Sequence, residues 1–229
     1  RPSIYHVLYG DESYRYLGEL PYPRRHRLVA SYHQPPSFLR SHIRDSNFLQ
    51  KLHAVIVVSQ CQLPYFSEIV GEEKVCWVPH GVDTQVFPPR FDSMTIASDK
   101  MSCLFVGMHK RDFETLVRVA EIVGFERPDV RFDIVTAESF RDLFDGLQNV
   151  EMYFGVTEAE LIALYQYAAL LLHPLLDSTA NNAILEAMSC GLPAVVSDVG
   201  GVRDYINEDC ALLTSPYDAA EMAEAILNL

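Results

Sequence analysis

The chain has 229 residues, room for one large or two small domains, and its 49% hydrophobic content suits a globular enzyme. Its net charge of −13 is lopsided: residues 1–89 hold 9 Lys/Arg against 8 Asp/Glu, and residues 90–229 hold 9 against 23. A nucleic-acid binder needs the opposite balance, and no apolar run approaches the roughly 18 residues that span a bilayer.

In chain order, apolar runs alternate with amphipathic ones, the pattern of βαβ units and a parallel sheet. Strands are predicted at Ser3–Tyr9 and Leu28–Tyr32, a helical stretch at Ser37–Leu52, and a buried strand at Ala54–Ser59. Ser59 should cap a helix to Val70, and Val75–Val78 is a short strand running into His80-Gly81-Val82-Asp83. Pro88-Pro89 and the polar stretch to Lys100 are the best linker.

A second series follows. Strand Ser102–Val106 leads to helix Phe113–Val123, strand Arg131–Val135 to helix Ser139–Leu147, and then comes strand Val150–Tyr153. Thr157 and Glu160 form a capping box for helix Glu158–Ala169, and strand Leu170–His173 runs on to Pro174. Beyond a polar loop lie a helix, a second strand and another turn, and Ser215-Pro216 with Asp218 opens a last helix to Leu229.

Five cysteines (61, 76, 103, 190 and 210) are odd in number and lack CxxC spacing. They read as buried free thiols of a reducing, cytoplasmic compartment. The basic cluster Arg24-Arg25-His26-Arg27 is too short for RNA or DNA. It reads as a solvated approach to a strand, with peripheral contact at the inner face of a membrane, or with an acidic acceptor, left open. Oligomeric state is not legible.

The most informative segment runs from Leu172 to Tyr205. The loop Asp177-Ser178-Thr179-Ala180-Asn181-Asn182 puts small side chains before a helix. Unpaired N–H groups and the helix dipole there favour an anion such as phosphate. Glu186, among Ile184, Leu185, Ala187 and Met188, is then placed to reach a polar group attached to that phosphate, such as a ribose. The plainer alternative is a capped helix, with Ser178 or Asn181 as N-cap.

The words LEAMSCGLPAVVSDVGG closely resemble the donor-binding segment of the family-4 retaining glycosyltransferases, and VCWVPHGVDTQVFPP resembles the end of that family's amino-terminal domain. The resemblance implies an α/β GT-B fold of two Rossmann-like, doubly wound parallel-sheet domains. Residues 1–89 would be the carboxyl part of an incomplete acceptor-side domain, 90–101 the linker and 102–229 the donor-binding domain. Since family members are longer and no Gly-rich loop or returning final helix has a counterpart, the chain reads as part of a larger protein.

The implied activity is transfer of a hexose from a UDP- or GDP-sugar to a saccharide or lipid-linked acceptor. The alternatives are a same-fold epimerase or phosphorylase, or a silent subunit that binds a nucleotide sugar. Glu186 inherits the ribose contact. The family's other glutamate falls at Ser178, so the sugar-contacting role passes to Asp177, Ser178 or loop backbone.

Charge on the leaving diphosphate must be stabilised. No Asp-x-Asp triplet occurs, which favours a metal-free, cofactor-free site. In the family an Arg and a Lys after the second domain's first strand do this work. Here Gly107 ends that strand and Lys110-Arg111 are adjacent, with Arg111 preferred for its forked geometry. His33, at a strand's carboxyl end, resembles the His that faces the donor across the cleft, and His80 is a weaker candidate. Thr136 and Phe154 begin the turns expected beside the nucleotide base.

Overall fold

The computed structural model describes residues 1–17, 25–90 and 101–229. Most of the predicted linker, and Arg24 of the basic cluster, lie outside these residues. The chain forms two compact units: 1–80 with 178–180 and 200–204, and 81–177 with 181–199 and 205–229.

The first unit carries β1 (Ile4–Val7), α1 (Gly10–Leu17), β2 (Arg27–Tyr32), α2 (Pro36–His42), β3 (Ala54–Val57), α3 (Leu63–Val70) and β4 (Val75–Trp77). Its four strands pair in parallel in the order β1-β2-β3-β4. Alternate residues Leu28, Ala30 and Tyr32 of β2 and Val55 and Val57 of β3 face one side and are buried with Leu39, Phe66 and Val70. Burial of each large side chain is worth roughly 1.5–3 kcal/mol.

The stretch Ser37–Leu52 is not one helix. α2 stops at His42, and Leu49–Lys51 form a separate 3-10 turn. Between them the Asp45 carboxylate accepts the N–H of Asn47, a local turn that competes with helical bonding. Ser59 caps as expected, but onto a 3-10 turn, Gln60–Gln62, that leads into α3. The helix α1 has no counterpart among the predicted elements.

The second unit comprises β5 (Ser102–Val106), α4 (Phe113–Glu126), β6 (Arg131–Val135), β7 (Val150–Tyr153), α5 (Glu158–Tyr167), β8 (Leu170–His173), α6 (Asn182–Ser189), β9 (Ala194–Ser197), β10 (Ala211–Thr214) and α7 (Ala219–Leu227). β5 to β8 match the predicted strands residue for residue. The parallel sheet has the order β10-β9-β8-β5-β6-β7. Cys103, Phe105, Phe132, Ile134, Leu170, Leu172 and Val195 are buried against α4 and α7.

The predicted helix at Ser139–Leu147 is a run of 3-10 turns, Glu138–Phe144. It is held by tertiary stacking, the rings of Phe140 and Phe113 lying 4.1 Å apart at 11°. The Thr157/Glu160 capping box is present and starts α5. All five cysteines are free, yet only Cys103 and Cys190 are buried, and Cys76 on β4 is exposed. The expectation of five buried thiols fails because β4 leaves Cys76 uncovered.

Candidate active site

In the second unit the sheet order places the topological switch between β5 and β8: from β5 the chain runs outward to β6 and β7, and from β8 to β9 and β10. In open α/β sheets, ligands bind outside the carboxyl ends of the strands at such a switch. The loops leaving these two strands are joined there. The N–H of Asp112 donates to the Pro174 carbonyl (3.1 Å), that of Leu176 to the Lys110 carbonyl (3.0 Å), and Arg111 bridges Leu175.

Arg111 is held on three sides. Its Nε donates to the Val106 carbonyl (3.1 Å), Nη1 to the His109 carbonyl (3.0 Å) and Nη2 to Asn181 Oδ1 (3.4 Å). A guanidinium has five N–H donors, so the fork is fixed with donors to spare for an anion. Burial brings its pKa down to about 10, against the opposing pull of Tyr165 and Glu186.

The guanidinium lies over Gly107, which has φ +104°, and a Cβ on that glycine would come within 2.9 Å of Nη2. Lys110 adopts φ 58°. Its neighbour His109 is driven below the ordinary histidine pKa by burial and by the charges of Lys110 and Arg111.

Glu186 is half-buried on α6, and its Oε2 accepts the hydroxyl of Tyr165 at 2.8 Å. Burial raises its pKa, with Tyr165 and Arg111 pulling it back. The same burial and the Glu186 charge drive the Tyr165 phenol upward, and the Cys190 thiol rises to about 11. His173, wholly buried at the end of β8, is held neutral by burial and by Arg111.

Asn181 occupies the N-cap position of α6 but makes no side-chain cap; its amide oxygen serves Arg111 instead. Asn181 therefore does not cap the first-turn amides of α6, as one form of the plainer reading expected. Asn182 opens the helix and is exposed, and Asp177 also belongs to this unit. The Thr136 N–H donates to the Tyr153 carbonyl at 3.2 Å. The Phe154 ring lies 4.5 Å beneath the Arg141 guanidinium.

The middle of the predicted phosphate loop behaves differently. Ser178, Thr179 and Ala180 cluster with the first unit. The Thr179 hydroxyl donates to the His33 carbonyl, and the Ser178 carbonyl accepts the N–H of Gly201 at 2.8 Å. Ser178, at the position of the expected glutamate, is buried.

His33 follows β2. Its ring packs 5.1 Å from Tyr9 and 6.3 Å from His80. Gln62 braces the β2 end: its amide group donates to the Tyr32 and Gln34 carbonyls and accepts the N–H groups of Val58 and Ser59.

Thus Gly107, Lys110, Arg111, Asn181 and Glu186 gather at the switch of the second unit, whereas His33 and Ser178–Ala180 belong to the first. Two residues sequence reasoning missed are Tyr165, on Glu186, and Asp11, which accepts the backbone N–H of His33. Neither carries a spacing signal, because each meets its partner only through the tertiary fold.

Two Rossmann-like parallel-sheet units, the second with a cationic site at its switch point, define the GT-B class. The chain belongs to the family of glycosyl transferases group 1, whose model matches residues 100–229. It is 30% identical to a phosphatidylinositol N-acetylglucosaminyltransferase component from Arabidopsis thaliana, over 67% of this chain and 36% of that relative's length. Its fold is similar to that of sucrose-phosphate synthase from Thermosynechococcus elongatus, with a TM-score of 0.77 at 21% identity, covering 98% of this chain and 63% of that one. A structure of HepE from Anabaena in complex with UDP and glucose gives a TM-score of 0.70 at 19% identity, covering 89% and 62%. Among the described residues no helix is long and apolar enough to cross a membrane.

Proposed function

We propose that this chain carries the donor side of a retaining glycosyltransferase that moves a hexose from a UDP- or GDP-sugar to a saccharide or lipid-linked acceptor. The observation that carries the reading is the pairing, at the switch point, of a fixed guanidinium, Arg111, with a half-buried carboxylate, Glu186. Glu186 holds the ribose hydroxyls. Arg111, Lys110 and the first-turn amides of α6 take the diphosphate, with Asp177 near the sugar and Thr136 and Phe154 near the base.

As the bond from the anomeric carbon to the β-phosphate oxygen breaks, negative charge grows on that phosphate. Preorganised donors stabilise it better than water does. The acceptor oxygen bonds to the same face of the anomeric carbon, and its proton passes to the departing phosphate. His33 works on the sugar hydroxyls. No metal is assigned a role, since the guanidinium supplies the positive charge.

The Arabidopsis relative is named for transfer of N-acetylglucosamine to phosphatidylinositol, which supports a lipid-linked acceptor. The HepE structure holds UDP and glucose, which supports a UDP donor. The reading places the protein in the cytoplasm, at the inner membrane face where its acceptor is a lipid.

Titration calorimetry with UDP, GDP and ADP tests it, followed by separation of products from the matching nucleotide sugars. Binding of one nucleoside diphosphate that weakens in Glu186→Ala, with transfer to a hydroxyl acceptor, is expected. No binding to any of the three ends the reading. An epimer or a sugar phosphate as product hands the site to another activity of this fold, and donor binding without turnover makes the protein catalytically silent.

A further inference from the structure

The first unit contains a buried carboxylate aimed at the one histidine the proposed chemistry uses. Asp11, on the first turn of α1, is 4% exposed. Its Oδ2 accepts the backbone N–H of His33 at 2.9 Å and its Oδ1 accepts that of Gln34 at 3.1 Å. Oδ2 also lies 3.6 Å from Nδ1 of the His33 ring.

The placement is built in. A Cβ on Gly10 would stand 2.6 Å from Tyr32 Cζ and 3.0 Å from the Ser31 carbonyl oxygen, so only glycine lets the start of α1 lie this close to β2. The other side of His33 is fixed by the Thr179 hydroxyl on its carbonyl. With its backbone pinned at both ends, the ring has little freedom to turn away from the carboxylate.

Nδ1 of His33 is shut away from solvent and has no hydrogen-bond partner among the described residues. The 28% of the side chain that remains exposed therefore lies elsewhere on the side chain. A lone pair on Nδ1 would face a carboxylate oxygen that two backbone amides prevent from withdrawing, whereas an N–H there is attracted to it. In a neutral imidazole, the proton on one nitrogen makes the other an acceptor.

We propose that Asp11 is a positioning residue that holds His33 as the Nδ1–H tautomer, so that Nε2 presents a lone pair and accepts a hydrogen bond from a sugar hydroxyl. The carboxylate contact shortens when that hydroxyl binds, as such contacts do between free and ligand-bound sites. The hydroxyl ligand rests on the glycosyltransferase reading; the tautomer rests on the geometry alone.

The test is long-range 1H–15N spectroscopy of the histidine rings in the full chain at a pH where His33 is neutral, its signals assigned by their loss in His33→Gln. The expected spectrum has Nδ1 protonated and Nε2 bare, and Asp11→Asn moves the proton toward Nε2. A wild-type ring protonated at Nε2, or an Asp11→Asn ring unchanged from wild type, overturns the proposal. The wild-type spectrum decides even where the variant does not fold.

Transfer assays then separate the two readings. Asp11→Asn is expected to lower kcat by roughly tenfold or more, with a smaller change in donor KM. An inactive wild type with the Nδ1–H ring defeats the assigned activity and leaves the tautomer standing. An active wild type with the Nε2–H ring does the reverse.

Discussion

The phenol of Tyr165, wholly buried on α5, donates its proton to Oε2 of Glu186 on α6 at 2.8 Å. The bond fixes the carboxylate and uses one of its oxygens, leaving Oε1 for a ligand. It also opposes the burial that raises the Glu186 pKa. In Tyr165→Phe that pKa rises further, so nucleotide binding that needs the carboxylate is lost at a higher pH as the solution is acidified. Without that bond the carboxylate must be ordered by the ligand itself, at a cost of about 0.5–1.5 kcal/mol, so affinity measured at neutral pH falls by roughly two- to tenfold. Identical binding-against-pH curves for the two proteins would show that Tyr165 merely packs.

Glu186→Gln separates function from stability. Burial, the leading cause, sets the folded pKa above the ordinary 4.5. The native state then binds more protons than the unfolded one between 4.5 and the folded pKa, so this group's contribution falls as pH rises through that window. It is flat below it. The Gln variant carries no such penalty, and its melting temperature relative to wild type should rise from pH 4.5 upward while its nucleotide affinity drops. A melting difference that shrinks with rising pH contradicts the sign.

Much of the second unit was readable because β5, β6 and β8 are short, largely apolar runs between turn residues, and a parallel strand buried on both faces has that form. The placement of Gly107, Lys110 and Arg111 in the loop after β5, and of Glu186 on α6, was readable for a related reason, since a loop after such a strand and a helix after a polar loop are sequence-local features. The 3-10 run at Glu138–Phe144 was not, because the Phe113–Phe140 stack that holds it is tertiary. The split of the loop Asp177–Asn182 was equally hidden. Thr179 and Asn181 sit two residues apart, yet one bonds His33 and the other Arg111. Nor could β10 or α1 be seen: the first is four residues with only its ends buried, and the second opens on Gly10.

Arg111→Ala is expected to lower transfer rate by about tenfold or more, from the loss of a charge-assisted phosphate contact. Arg111→Lys should restore little of it. A single ammonium cannot serve the Val106, His109 and Asn181 oxygens together while still facing a diphosphate. Full activity in the lysine variant would reduce the site to a point charge.

Gly107→Ala probes the same guanidinium from beneath. The glycine sits at φ +104°, a conformation that costs an L-residue about 1–3 kcal/mol. The new methyl would also meet Nη2 at 2.9 Å and Nε at 3.2 Å. Because Arg111 is tethered at three points, it must give up one of them to make room. The variant should therefore unfold at lower denaturant, by the strain alone, and bind nucleotide diphosphate as weakly as Arg111→Ala. The double variant Gly107→Ala/Arg111→Ala separates the two effects, since it keeps the strain but has no guanidinium to displace. Its affinity should equal that of Arg111→Ala, the two losses failing to add. Additive losses would mean that Gly107 touches the ligand itself rather than acting through the arginine above it.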